Sequence, residues 1–218
     1  MPEHMIPRID PAADLHDPLD PLRRFVDRMT RLVGTTADEA RLIDGATPLL
    51  HQLIAEDSWL PEACAQPHPE FYQQYLLHCD PLERFCLVSF VWGPGQRTPI
   101  HDHQTWGLIG VLRGAETGRR FRRTAAGLIE DGLEARLEPG GIDVVSPRVG
   151  DIHQVANAFA DRTSISIHLY GGNIGAIARH VFDAATGAPK PFVSGYSSPL
   201  LPNLWDRSAA TRSRLAAA

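Results

Sequence analysis

The stretch that decides the fold runs from Gly95 to Gly114, "GQRTPIHDHQTWGLIGVLRG". Two histidines in it, His101 and His103, stand one residue apart, just beyond a Gly-Pro-Gly turn at 93–95. On a strand, residues i and i+2 face the same side, so both imidazoles can aim at one point. A metal would explain such a pair, and so would chance, until a third partner is found. The chain supplies a candidate 50 residues further on: His153, in "GDIHQVAN", opens a second strand-like run. Strands that far apart in sequence are readily neighbours in a barrel. Of the other histidines, His4, His16, His51, His68 and His78 are isolated and read as surface or satisfied core residues.

The surroundings of these histidines have the texture of a β domain. From Tyr72 onward, β-branched and aromatic residues alternate with polar ones in short runs such as "RFCLVSFVW", "WGLIGVLRG", "IDVVSP" and "TSISIHLYGG". Gly, Pro and Asp separate the runs. Many short strands with such turns predict a sandwich or small barrel. The first third reads as helical instead. "PLRRFVDRMTRLVG" spaces Leu22, Phe25, Val26, Met29 and Leu32 at helical intervals, with Gly34 as the expected stop. Thr36 followed by Glu39 has the spacing of a capping box. Gly45 and Pro48 predict two short helices after it rather than one. The expected organisation is a helical segment over 1–71, a barrel over 72–206 and a frayed helical tail over 207–218.

At 218 residues with 43% hydrophobic content, the chain can bury a core of ordinary size. The net charge is −5, and "GRRFRR" (118–123) is too short for a nucleic-acid stripe; it reads as a solvated hairpin arm. Neither a signal peptide nor a membrane span is expected, since no stretch approaches ~20 apolar residues. Three cysteines, Cys64, Cys79 and Cys86, lack paired spacing and point to a reducing compartment, hence the cytoplasm. Cys86, in an apolar run, is expected to be buried.

The spacing around the histidines resembles the two motifs of the cupin superfamily, a family of small double-stranded β-barrels of jelly-roll type. In the first, Gly95, His101, His103 and Gly114 match, and Gly107 stands where the common motif has a glutamate. In the second, Gly141, Pro147, Gly150, His153 and Asn157 match, with one extra residue between Pro147 and Gly150. The resemblance implies a mainly β cupin barrel with a metal held by three imidazoles and no carboxylate. Such a donor set suits Zn, Fe, Ni or Cu.

"TSISIHLYGG" adds a further element. Ser166, His168 and Tyr170 alternate with Ile165, Ile167 and Leu169, giving one polar and one apolar face. By pattern alone this is an edge strand with a wet face, or an inward relay of hydrogen bonds from Ser to His to Tyr. With a three-His centre, the trio makes the chain resemble the thiol dioxygenases of the cysteine dioxygenase family, over about Tyr72 to Tyr196. The resemblance implies Fe(2+) on His101, His103 and His153, with a small thiol and O2 as reactants. Tyr170 would be oriented by His168 and Ser166. Within the family the chain resembles the bacterial 3-mercaptopropionate dioxygenases. Gly107 stands where mammalian-type enzymes have a crosslinking cysteine, and Gln74 where they have a carboxylate-binding arginine. Arg179, in "NIGAIARHVFD", matches the residue that takes that role in the bacterial group, and a guanidinium fork suits a carboxylate.

A cysteine dioxygenase or broader thiol dioxygenase, a metal-binding cupin without turnover, and a zinc hydrolase are the rival readings. No nucleic-acid or membrane partner is expected, and the sequence leaves the oligomeric state open. Asp102 is expected to point away from the site, into a turn or a contact behind the histidines, Trp106 to be core, and His180 to lie outside the site.

Overall fold

The computed structural model describes residues 17–125, 127–198 and 208–217. The expectations for His4 and His16, and for the tail as far as it falls on Arg207 and Ala218, lie outside these residues.

Two helices open the described residues, α1 (Asp20–Thr35) and α2 (Glu39–Ile54). α1 runs through Gly34 and ends one residue later. The capping expectation needs a correction: Asp38, not Thr36, caps α2, its carboxylate accepting from the Arg41 N–H at 3.0 Å. The Thr36 hydroxyl accepts from the Asp38 N–H and so shapes the turn before the cap. α2 is also one continuous helix rather than two. Pro48 lies inside it and removes one backbone donor. Six buried side chains of α2, among them Leu49, Leu50 and Leu53, hold it together despite that loss. Gly45 is a packing residue, since a Cβ there would come within 2.9 Å of the Leu32 side chain on α1.

Twelve strands follow among the described residues: β1 (Gln73–Cys79), β2 (Cys86–Trp92), β3 (Ile100–His101), β4 (Gly107–Arg113), β5 (Glu116–Thr124), β6 (Gly127–Glu130), β7 (Ala135–Leu137), β8 (Ile142–Val145), β9 (Ile152–Asn157), β10 (Ser164–Tyr170), β11 (Arg179–Phe182) and β12 (Pro189–Phe192). One sheet has the order β1-β2-β10-β4-β8. The other runs β12-β11-β3-β9-β5-β6, with β7 also paired to β5. Every pairing is antiparallel, so the sheets form the two walls of a jelly-roll barrel. The fold is mainly β, with the helical segment at its start.

The helices pack on the outer face of the five-stranded sheet. Phe25, Met29, Leu50 and Leu53 meet Leu87, Leu108, Ile165, Ile167 and Leu169 in one core. Full burial of one such side chain contributes about 1.5–3 kcal/mol. The inner face of the same sheet carries Val88, Phe90, Trp92 and Tyr170. Asn157, the last residue of the second cupin-like motif, ties the walls together. Its amide lies 2.9–3.1 Å from the Trp92 and Gly93 carbonyls, and its oxygen accepts from the Ser164 hydroxyl.

The arginine run of 118–123 is more than a solvated arm. β5 lies inside its sheet, between β9 and β6, and its Arg120 reaches Asp143 and the Val144 carbonyl on β8. Arg119 and Arg122 face solvent and pair with Glu134 and Asp131. Cys86 is fully buried, and all three cysteines are free. The C-terminal helix α3 (Ser208–Ala216) is docked: Thr211 bonds the Ala176 carbonyl and Arg212 that of Val193. No helix among the described residues is long and apolar enough to cross a membrane.

Candidate metal centre

β3 and β9 are neighbours, and their register puts His101 opposite His153. His103 follows two residues later, where the chain leaves the strand. The three imidazoles converge: their ligand atoms lie within 4.8 Å of one another, and all three residues are buried. The hydrogen bonds behind the rings set their orientation. The His101 Nδ1 lies 3.0 Å from the Pro99 carbonyl, and the His103 Nδ1 lies 2.9 Å from the Asp151 carboxylate. A donor at each Nδ1 leaves Nε2 as a lone pair directed inward. Asp151 also accepts from the backbone N–H groups of His103 and Gln104, with Gln104 in the left-handed region at φ 57°.

The donor set fits a divalent metal on two observations. The His103 Nε2 is buried and has no hydrogen-bond partner, which is costly unless something occupies the space before it. Burial pushes all three imidazoles below their ordinary range, against the pull of Asp151 on His103, so they are neutral donors at pH 7.

β10 is not an edge strand. It lies at the centre of its sheet, between β2 and β4, and all seven of its residues are buried. Its apolar face meets the helices and its polar face points into the barrel. There the Ser166 hydroxyl lies 2.8 Å from the His168 Nε2, and the His168 Nδ1 lies 2.8 Å from the Tyr170 hydroxyl. Phe90 stacks on His168 at 3.9 Å, and the Trp92 indole N–H donates to Ser166 at 3.1 Å. The Tyr170 ring lies against that of His103, with centroids 5.5 Å apart. Burial raises the phenol well above its ordinary value, with Arg179 pulling the other way, so it stays protonated.

Gly107 has a physical reason to be glycine. A Cβ there would fall 2.7 Å from Tyr170 Cδ1 and 3.1 Å from Val145. The ring of Tyr170 fills the space that the motif's glutamate would need.

Arg179 belongs to the same interior. β11 pairs with β3 so that Val181 lies opposite His101, and Arg179 shares the face of Val181. Its guanidinium is 3% exposed, sits 4.6 Å from the centre of the Phe192 ring and donates to the Ser194 hydroxyl. Its Nε has no partner, and no carboxylate among the described residues forms an ion pair with it. Burial lowers its pKa, against the pull of Tyr170 and Tyr72. Gln74 shares an inner-face register with Phe90 and Ser166, but only its backbone has a hydrogen bond, to Ser197. Trp106 is core, buried on the helix side of the sheet. His180 is outside the site: its half-exposed ring and its N–H bond Asp102, which closes the turn with Gln104. His51 is exposed and His68 stacks on Phe71, whereas His78 keeps a buried Nε2 without a partner.

Sequence reasoning missed Asp151, Glu116, Tyr72, Phe90 and Trp92. Asp151 stands two residues before His153 in a quoted motif, and that spacing was the available signal. Tyr72 stacks beside Phe90 and Trp92 and is felt by Arg179. Glu116 is buried in the barrel, and nothing in "RGAETG" marks it as such.

No protein-family model matches the chain. Solved structures similar to it include a conserved protein with a double-stranded β-helix domain from Klebsiella pneumoniae, at 19% identity over 55% of this chain and 95% of that one (TM-score 0.42). A cupin superfamily protein from Desulfitobacterium hafniense shares 15% identity over 51% of this chain and 87% of that one (TM-score 0.39). Oxalate oxidase, in complex with the substrate analogue glycolate, shares 14% over 54% and 61% (TM-score 0.40). The barrel assignment stands on the strand pairing described above.

Proposed function

We propose that this chain is a non-haem iron thiol dioxygenase that adds both atoms of O2 to the sulfur of 3-mercaptopropionate, giving 3-sulfinopropionate. The S–H compound gains both oxygen atoms, and sulfur supplies the four electrons that O2 takes up. Ferrous iron held by His101, His103 and His153 would supply the redox centre at which sulfur and dioxygen meet. The observation that carries the reading is Arg179. A buried guanidinium without a carboxylate partner, facing the same interior as the three histidines, suits a substrate that brings its own carboxylate.

The other residues have roles that follow from their contacts. The Tyr170 hydroxyl, fixed by His168, stands next to the His103 ring and offers one hydrogen bond to a group in the site. Ser166 and Phe90 hold His168 in place. Gln74, in register with Phe90 and Ser166, would border the same space from β1.

The test is O2 uptake by the iron-loaded protein with 3-mercaptopropionate, L-cysteine and cysteamine compared side by side. Strong uptake with the first and little with the others supports the reading. Preference for L-cysteine moves the assignment to cysteine dioxygenase, and no uptake with any thiol removes the dioxygenase reading. Arg179→Ala should raise KM for 3-mercaptopropionate about 10–100-fold, the weight of a charge-assisted bond, and leave cysteamine use unchanged.

A further inference from the structure

Arg179 is anchored at one corner of its guanidinium and open at the next. Its Nη2 donates to the Ser194 hydroxyl at 2.6 Å, and its buried Nε has no hydrogen-bond partner. Those two nitrogens share one edge of the planar group, an edge that a carboxylate can grip with both oxygens. A guanidinium only donates, so Ser194 accepts, and its own O–H proton points elsewhere. No acceptor for that proton is found among the described residues. The half-buried serine and the buried arginine therefore hold two unused donors close together, one O–H and one N–H.

The fold fixes the serine from both flanks. Arg179 lies opposite Phe192 in the pairing of β11 with β12, and Ser194 follows Phe192 by two residues. On one side of it the Val193 carbonyl accepts from Arg212 of α3 at 3.1 Å. On the other, Gly195 turns the chain at φ 70°, and its N–H donates to the Gly175 carbonyl at 3.0 Å. The Tyr196 hydroxyl completes this clip by accepting from the Gly175 N–H at 3.0 Å. Gly175 sits in the single-turn helix Ile174–Ala176 that leads into β11, so the clip joins the segments that carry Ser194 and Arg179.

We propose that Ser194 is the second arm of the carboxylate site, donating its O–H to one oxygen while the Arg179 Nε–H takes the other. One carboxylate then satisfies both donors and balances the buried cation. The serine also adds selectivity. With its oxygen held by the guanidinium, the hydroxyl is polarised as a donor and opposed as an acceptor. A ligand must bring acceptors to this position, which favours a carboxylate over the corresponding amide or amine.

The role rests on the dioxygenase reading for the thiol end of the ligand alone, and propionate, which has no thiol, tests it separately. The full chain, 15N-labelled and free of paramagnetic metal, is titrated with propionate at constant ionic strength while the Gly195 amide signal is followed by NMR. In the parent the signal should move and saturate, and 1-propanol should leave it in place. Ser194→Ala should need about 5–20-fold more propionate for half the shift, and Ser194→Thr, which keeps the hydroxyl, should match the parent. Adding Ser194→Ala to Arg179→Ala should weaken binding about 3-fold beyond Arg179→Ala alone. Equal affinities for those two variants would make the serine a prop for the arginine and overturn the proposal. A parent that ignores propionate, or a Ser194→Ala midpoint equal to the parent's, overturns it as well. A chain that takes up no O2 with any thiol yet titrates as expected loses the dioxygenase reading and keeps the carboxylate site. Uptake with 3-mercaptopropionate that Ser194→Ala leaves at the parent's KM does the reverse.

Discussion

At Gly107, one hydrogen atom decides which side chain serves the site. The phenol of Tyr170 is held by a single hydrogen bond to His168 and by the space above Gly107. Gly107→Ala should push the ring off that position, because its Cβ would fall 2.7 Å from Tyr170 Cδ1. The expected outcome is metal affinity within about twofold of the parent and thiol turnover slowed roughly tenfold or more, a barrier change of ~1.4 kcal/mol. Steady-state kinetics alongside metal titration read both; unchanged turnover would mean that the ring does not need its present place. Strand alternation put His101 beside His103 and lined up Ser166, His168 and Tyr170 on one face, but it was the resemblance to known motifs that joined His153 to the pair and turned the trio inward. Glu116 was not legible in the sequence. A lone carboxylate beside a turn is an ordinary surface residue until a second sheet closes over it, and that sheet comes from elsewhere in the chain.

Elements position these residues in ways that short-range patterns only partly encode. β10 showed its two faces in sequence, but its neighbours β2 and β4, which settle that both faces are buried, could not be read from it. α2 misled in the other direction: Gly45 and Pro48 have the local chemistry of a break, yet tertiary packing overrides it, and Gly45 marks the close approach to Leu32. The turn after β3 has a dedicated clip. Asp151, at the entry to β9, accepts from two backbone N–H groups and one imidazole of the segment that carries His103. Asp151→Ala should free that segment and weaken metal binding about 10–100-fold, the usual cost of losing such support. Competition with a chelator measures this, and an unchanged affinity would show that His103 holds its place without the clip.

For the whole molecule, Glu116 ties stability to pH. A carboxyl held above its ordinary value binds its proton more tightly in the folded than in the unfolded chain. Its contribution is therefore complete in acid, declines as pH rises from about 4.5 to about 7, and is level above that. Glu116→Gln removes this slope. The parent, compared with the variant, should lose up to ~3 kcal/mol between pH 4.5 and pH 8, as read from urea midpoints. Parallel curves would place the charge in a wetter setting than the barrel interior.

The helices have a consequence of their own at this scale. They grip the back of the strand whose front carries the relay, through Ile165, Ile167 and Leu169. A volume change at Leu50 or Met29 is thereby transmitted to the phenol through the thickness of a single backbone. The chemistry of the barrel can be tuned from outside it, with every residue that touches a ligand left unaltered.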